Sequence, residues 1–206
     1  DEKEAGVVLV DIGGGTTDIA VFKENTIYHT SILPVAGQLI TRDISAGMGL
    51  SFALAEEMKK KYGTLIPEEE ESDRTVGENG HSVSYRDLCE IIRARIEEMM
   101  RLVVLELPRT DYARLIPAGI VITGGGANVP GIVEMTQAIT RLPVRIGVPP
   151  ALNGVSNSLL TDPAYATSVG LVLWKMKNDN SANQKWVSTK PNGLRGLFSS
   201  LFRLFR

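Results

Sequence analysis

A glycine-rich stretch near the beginning of the chain carries the residues best suited to chemistry. Val7–Phe22 reads VVLVDIGGGTTDIAVF, and two apolar runs joined by a glycine turn are typical of a β-hairpin. The polar and glycine residues around this turn are Asp11, Gly13, Gly14, Gly15, Thr16, Thr17 and Asp18. Glycines let backbone N–H groups approach a ligand closely, and successive N–H groups form an anion-binding concavity. Because a carboxylate beside a phosphate commonly holds a hydrated Mg²⁺, the pattern favours a phosphate-binding hairpin over a plain tight turn.

A second glycine turn follows much later in the chain. Residues 122–130 read ITGGGANVP, so Gly124, Gly125, Gly126 and Asn128 fall between an apolar run and the start of a predicted helix. Such a turn allows a ligand to approach the carboxyl edge of a sheet. By itself it also fits an ordinary strand–helix connection. Together with the hairpin it predicts two turns that hold the two ends of one nucleotide.

The composition restricts the possible functions. The 206 residues are enough for one sizeable core or two small ones, and a net charge of −2 provides no field that favours nucleic acid. Cys89 is the only cysteine, and His29 and His81 lie far apart, so we expect neither a disulfide nor a cysteine metal site. Without a signal-like segment or a run of ~20 apolar residues, we expect a reducing, cytoplasmic setting. The chain begins DEKEAG without an initiator methionine, so we expect a piece of a longer protein.

The segments after the hairpin alternate between strand and helix patterns. The predicted elements are a strand at Thr26–Pro34, helices at Gly37–Met48 and Ser51–Tyr62, a polar loop at Pro67–Gly80, a long helix from Ser84 to Pro108, a strand at Gly119–Gly126, a helix at Pro130–Thr140, a strand at Pro143–Gly147 and a last helix from Asp162 to about Lys175. Ser84 with Asp87 forms a capping box, and Asp162 followed by Pro163 is a favourable helix start. This alternation predicts an α/β protein.

The last residues of the chain change character twice. Residues 176–192 are polar and predict a flexible linker. When residues 193–206 are placed on a helix, one arc is apolar and arginines and small residues fill the opposite arc. The apolar arc contains Leu194, Leu197, Phe198, Leu201, Phe202, Leu204 and Phe205. This separation favours a helix lying in the surface of an anionic membrane, and the alternatives are a helix docked on its own domain or in a partner's groove.

Three motifs together resemble the actin-like ATPases. They are DIGGGTTD at residues 11–18, AEEMK at residues 55–59 and ITGGGANVP at residues 122–130. More narrowly, the chain is similar to the C-terminal half of the FtsA family of bacterial cell-division proteins. This similarity includes LPVAG at 33–37, AGIVITGG at 118–125 and ATSVGL at 166–171, and then the linker and the tail. The glycine motifs are typical of the superfamily, whereas the flanking segments and the tail indicate the family.

The resemblance implies roles for individual residues around ATP and Mg²⁺. Gly13, Gly14, Gly15 and Thr16 would form the second phosphate loop, with Asp11 near the Mg²⁺ and its waters. Asp18 would lie near an attacking water. Gly124, Gly125, Gly126 and Asn128 would flank the adenosine. Glu56 and Lys59 match the E-x-x-K segment that meets ribose and adenine; from their spacing alone they could equally be a surface ion pair on one helical face.

The resemblance also implies an architecture. We expect an actin-like (ribonuclease H-like) α/β nucleotide-binding domain whose sheet comes from residues 1–42 and 109–175. Residues 43–108 would form an inserted smaller α/β subdomain, followed by the linker and the amphipathic helix. The first phosphate loop of the family pattern is absent from this sequence, so we expect the nucleotide cleft to be only half present and do not expect this chain to bind and hydrolyse ATP by itself. The resemblance implies that hydrolysis by the whole protein is slow or regulatory.

The implied function is mechanical. The protein would bind ATP, polymerise head to tail and tether filaments of FtsZ to the cytoplasmic face of the cell membrane at the division site, together with other division proteins and without nucleic acid. The FtsZ C-terminal tail would meet a basic rim on the inserted subdomain formed by Arg93, Arg95 and Arg101, with the lysine run at 59–61. The alternative for these arginines is that they only solvate the outer face of the helix. The alternatives on the same fold are a sugar kinase or chaperone-type ATPase, and a pilus-assembly scaffold.

Overall fold

The computed structural model describes residues 1–68, 73–107, 112–150 and 158–182. The chain divides into two compact units, residues 1–170 and residues 171–206. The first unit contains the sheet, the helices that cover it and both glycine turns. The predicted membrane-binding tail at 193–206 lies outside the described residues.

The sheet of the first unit brings the two glycine turns to one edge. The strands are β1 (Val7–Ile12), β2 (Thr17–Lys23), β3 (Thr26–Leu33), β4 (Thr75–Glu78), β5 (His81–Ser84), β6 (Ile120–Thr123) and β7 (Val144–Ile146). Five of these described strands form one sheet in the order β3-β2-β1-β6-β7, and β4 pairs with β5. Because β1 runs parallel to β6, with Asp11 beside Thr123, the turns after the two strands lie next to each other at the carboxyl edge.

Alternating residues of the central strands explain how the sheet is covered. In β1 the side chains of Val8, Val10 and Ile12 are buried, whereas Leu9 and Asp11 on the other face are partly exposed. This period of two is the pattern of a strand with one face in the core. The buried face continues through Ile19 of β2 and Ile122 of β6 into one hydrophobic core shared with the helices.

The described residues form the helices α1 (Glu2–Ala5), α2 (Gly37–Met48), α3 (Phe52–Tyr62), α4 (Tyr85–Glu106), α5 (Tyr112–Leu115), α6 (Ile132–Thr140) and α7 (Ala166–Ala182). Helices α2, α3, α4 and α6 contribute buried side chains to this core. Helix α2 packs against α3 and α4, and α4 packs against α6. Leu88, Ile92, Ile96, Met99 and Val103 of α4 are buried because their spacing of three to four residues places them on one helical face.

Most predicted elements are confirmed to within a few residues. Helix α2 has the predicted ends, and Ser51 and Ser84 cap α3 and α4 by accepting hydrogen bonds from the N–H groups of Leu54 and Asp87. Asp162 accepts from the N–H of Ala164 at the start of a short 3₁₀ turn that precedes α7. The local capping and periodicity signals were therefore sufficient here.

Two predictions of local structure are wrong. Within the predicted loop at 67–80 and the residues just after it, strands β4 and β5 form a hairpin whose turn residues Asn79 and Gly80 both have positive φ angles, 53° and 81°. Asn-Gly is the strongest short-range hairpin signal, because both turn positions need such angles. The last helix does not end near Lys175 but continues to Ala182, so residues 176–182 are helical; residues 183–192 of the predicted linker lie outside the described residues. The division at residues 42 and 43 stays a prediction, and α2 runs through it without a break.

Candidate functional site

The predicted phosphate hairpin is held against the beginning of α2. The N–H of Gly13 donates to the carbonyl of Thr16 across the turn, at 3.0 Å. The N–H groups of Gly37 and Gln38 donate to the carbonyls of Gly13 and Gly14, at 3.1 and 2.8 Å. The turn is therefore fixed by its own strands on one side and by the α2 N-terminus on the other.

The glycines of the two turns have different roles. A Cβ added to Gly15 or to Gly125 would meet no atom within 4 Å, so the backbone at these positions faces open space. At Gly124, by contrast, a Cβ would overlap the Asp11 carboxylate and lie 2.5 Å from the carbonyl oxygen of Ile12, and its φ is +81°. A Cβ on Gly126 would overlap the side chain of Ile12. Gly124 and Gly126 are thus required for packing, whereas the packing of this chain does not require a glycine at position 125.

Two carboxylates lie beside the hairpin. Asp11 and Asp18 are cross-strand partners on neighbouring strands β1 and β2. Asp11 Oδ2 accepts a hydrogen bond from the hydroxyl of Thr167 at 2.6 Å, and Asp18 Oδ2 accepts one from the hydroxyl of Thr16 at 3.0 Å. Thr167 lies in the first turn of α7 and was not among the predicted site residues, although its ATSVGL segment was among those that carried the family resemblance.

Glu56 and Lys59 form a half-buried ion pair rather than a surface pair. Lys59 Nζ lies 2.7 Å from Glu56 Oε2 and 2.8 Å from the Thr41 hydroxyl, which also contacts Glu56. Partial burial alone would raise the pKa of Glu56, but hydrogen bonds from Lys59, Thr41 and Lys60 outweigh it and lower the pKa to about 2. Glu56 is therefore ionised at neutral pH. The sequence around Thr41 contains no ligand-binding motif. Its place in this cluster becomes visible only when α2 packs on α3.

A cavity of about 910 Å³ brings most of the predicted nucleotide residues together. From the predicted set it is lined by Asp11, Gly13, Gly14, Asp18, Glu56, Lys59, Gly124, Gly125, Gly126 and Asn128. Gln38, Ile40, Phe52 and Thr167 also line it and were not predicted, whereas Gly15 and Thr16 are not among the lining residues. Asn128 donates to Asp162 at 2.8 Å. Among the described residues, no cluster of three or more His, Cys, Asp or Glu could hold a metal ion by itself, so Mg²⁺ at Asp11 stays a prediction.

The three arginines of the predicted basic rim do not share one surface. Arg93 and Arg101 line a groove of about 540 Å³ between α4 and α6, whose apolar residues include Ile66, Met135 and Ile139. Arg95 lies elsewhere, because its guanidinium is paired with Asp43 of α2 at 2.5 and 3.0 Å. A helical residue two positions from another points to nearly the opposite face, which separates Arg95 from Arg93.

The lysine run does not join this groove either. Lys59, Lys60 and Lys61 all line the cavity beside the hairpin, and Lys61 forms an ion pair with Glu78 of β4. Arg93 donates to the carbonyl of Leu65, and Arg101 pairs with Glu97 at 2.6 Å. Of the predicted basic rim, only Arg93 and Arg101 therefore lie at this groove, which residues of α6 also line.

The fold defines this chain as an actin-like α/β protein. A structure of MreB5 of Spiroplasma citri bound to AMPPNP matches with a TM-score of 0.69 and 21% identity, covering 89% of this chain and 56% of that one. The structure of an archaeal actin homologue matches with a TM-score of 0.55 and 17% identity, covering 85% of this chain and 50% of that one. The predicted fold class is confirmed.

The chain belongs to the FtsA family of cell division proteins, because the family model described as cell division protein FtsA matches residues 8–170. A curated relative from Pseudomonas aeruginosa is 40% identical over 194 residues, which is 91% of this chain and 46% of the relative. One from Bacillus subtilis is 35% identical over 191 residues, 90% of this chain and 42% of the relative. The chain thus spans slightly less than half the length of these relatives. No helix within the described residues is long and apolar enough to cross a membrane.

Proposed function

We propose that this chain is the second half of an ATP-binding, actin-like division protein that tethers FtsZ filaments to the cytoplasmic face of the cell membrane. One observation carries the nucleotide part: the cavity that joins the glycine hairpin, the second glycine turn and the Glu56–Lys59 pair. Its donor set fits a nucleotide, because open glycine backbone suits phosphates and an ionised carboxylate accepts hydrogen bonds from ribose hydroxyls. Family membership supports the role in division and the association with other division proteins. It also supports the proposal that the protein polymerises with itself head to tail.

Each residue of the site would contribute through position and charge. Mg²⁺, when bound, supplies positive charge that offsets the phosphate charge. Asp11 would hold the waters of that ion, and its carboxylate is oriented by Thr167. Asp18 lies across the hairpin from Asp11, where it could orient a water. Gly14 and Gly125 would allow the backbone to approach the nucleotide from two sides. In this proposal, hydrolysis by the full-length protein would be slow or regulatory.

Calorimetry with ATP·Mg²⁺ tests the nucleotide proposal. We expect the full-length protein to bind and this chain alone to bind much more weakly, because a site with one wall leaves most of the phosphate charge in water. Asp11→Asn in the full-length protein should weaken binding in Mg²⁺ and have less effect when the ion is chelated. Micromolar binding by this chain alone would show that the site is assigned wrongly.

The groove between α4 and α6 supports the FtsZ part of the proposal. Short tails with apolar and acidic residues suit a groove that has an apolar floor and arginines at its edge. Arg101 is 65% exposed and meets Glu97 through one oxygen, so its guanidinium retains donors for a second carboxylate. We therefore assign the contact to Arg93 and Arg101, and a structural role to Arg95.

A fluorescent peptide of the FtsZ C-terminal tail, titrated against charge reversals, tests this contact. We expect Arg93→Glu and Arg101→Glu to weaken binding about tenfold each, because each places a like charge against the peptide. Arg145→Glu on β7, which reverses one charge away from the groove, is the matched control. Arg95→Glu should instead lower stability, since it places a carboxylate against Asp43 and Glu98. If both groove variants bind the peptide as tightly as the wild type, and salt has no effect, the basic rim is ruled out.

A further inference from the structure

The hydrogen bonds of Lys59 leave it without a donor for a nucleotide base. A lysine ammonium has three N–H donors and no acceptor. Lys59 Nζ lies 3.0 Å from the carbonyl oxygen of Gly37, 2.8 Å from Thr41 Oγ1 and 2.7 Å from Glu56 Oε2. Each donor thus has an acceptor inside the protein, and the side chain is only 13% exposed.

The Gly37 carbonyl links this ammonium to the phosphate hairpin. The same residue donates its N–H to the carbonyl of Gly13, and the next residue, Gln38, donates to Gly14. A Cβ at Gly37 would lie 3.3 Å from the Gly13 oxygen and 3.6 Å from Lys59 Nζ, so the hairpin, the first turn of α2 and the ammonium meet at this glycine. Lys59, on α3, therefore reaches the hairpin through one intervening residue.

We propose that Lys59 is a positioning residue for the phosphate hairpin and does not bind the base. Its ammonium fixes the first turn of α2, and the N–H groups of that turn hold the carbonyls of Gly13 and Gly14. This inference rests on the proposed nucleotide function for its consequence in binding, although the bracing itself is independent of any ligand. Glu56, whose second oxygen lies 3.1 Å from the exposed Lys60, remains the member of the cluster available to a ribose.

Hydrogen exchange in this chain without ligand tests the bracing. Lys59→Met should speed exchange of the amides at 11–16 and 36–41 about tenfold, since it removes a charge-assisted hydrogen bond to Gly37. Lys59→Arg should also speed it, because a planar guanidinium cannot reach three convergent acceptors although it keeps the charge. Lys60→Met, one residue along the same helix, is the comparison, and β6 at 120–123 reports global stability. Unchanged exchange in both Lys59 variants would overturn the bracing.

Ligand dissection in the full-length protein tests the consequence for binding. ATP, tripolyphosphate and adenosine, each with Mg²⁺, are titrated against the wild type and Lys59→Arg, which retains the charge. If Lys59 positions the hairpin, affinity falls by a similar factor, about tenfold, for ATP and tripolyphosphate and is unchanged for adenosine. A loss of affinity for ATP and adenosine, with none for tripolyphosphate, would overturn the inference and indicate that Lys59 contacts the base. If the wild type binds none of the three, the proposed nucleotide function fails, while the exchange result still decides the bracing.

Discussion

Gly124→Ala is expected to destabilise this chain by about 3 kcal/mol, whereas Gly125→Ala should leave its stability nearly unchanged. The two glycines are adjacent, yet a Cβ at Gly124 would overlap Asp11 and lie 2.5 Å from the Ile12 oxygen, on a backbone with φ of +81°. At Gly125 no atom lies within 4 Å of the added Cβ. Chemical denaturation of both variants measures the free energy of unfolding directly.

Variants at these two positions distinguish the effect of packing on stability from the effect of an added side chain on ATP binding. Gly125→Val should fold normally and lose ATP affinity at least about tenfold in the full-length protein, because its side chain would fill space that faces the cavity. Gly125→Ala should have a smaller effect in the same assay. Normal ATP binding by Gly125→Val would show that the nucleotide does not approach this turn. Equal stability of Gly124→Ala and the wild type would contradict the packing at Asp11.

The second large effect is expected at the C-terminal tail, on the proposal that it binds the membrane. Phe202→Asp should abolish co-sedimentation of the full-length protein with anionic vesicles, because it places a charge in the middle of the apolar arc. Each buried CH₂ contributes about 0.8 kcal/mol, so the seven Leu and Phe side chains together would outweigh the cost of ordering the helix. Circular dichroism should show helix formation by residues 193–206 only when vesicles are present.

A matched variant separates the apolar contribution from the charge. Ser199→Asp adds the same charge on the polar arc, where it should weaken binding only by about 1 kcal/mol through repulsion from anionic lipid. Neutral vesicles should reduce this difference. If Phe202→Asp still sediments with lipid, or if the two variants behave alike, the tail does not attach the protein in the proposed way.

The sequence by itself determined the elements of this fold and the parts of the candidate site that are local. The DIGGGTTD hairpin, the ends of α2 and the caps at Ser84 and Asp162 were all predictable, because each depends on residues within a few positions of one another. The two glycine turns predicted a shared nucleotide site, but the parallel pairing of β1 with β6 that brings them to one edge was not predicted. The Asn79-Gly80 pair is also a local signal for the hairpin there, whereas the polar composition of 67–80 by itself predicts a loop.

Only the tertiary structure decided what individual residues at the site do. Three consecutive glycines look alike in sequence, but the neighbouring strand makes Gly124 a packing requirement and leaves Gly125 open. All three N–H donors of Lys59 bond to acceptors on two helices, namely a carbonyl, a hydroxyl and a carboxylate. Arg95 forms an ion pair with Asp43, which is remote from it in sequence. These roles depend on distances between residues that are remote in sequence, and helical or strand periodicity carries no information about which remote acceptor a side chain meets.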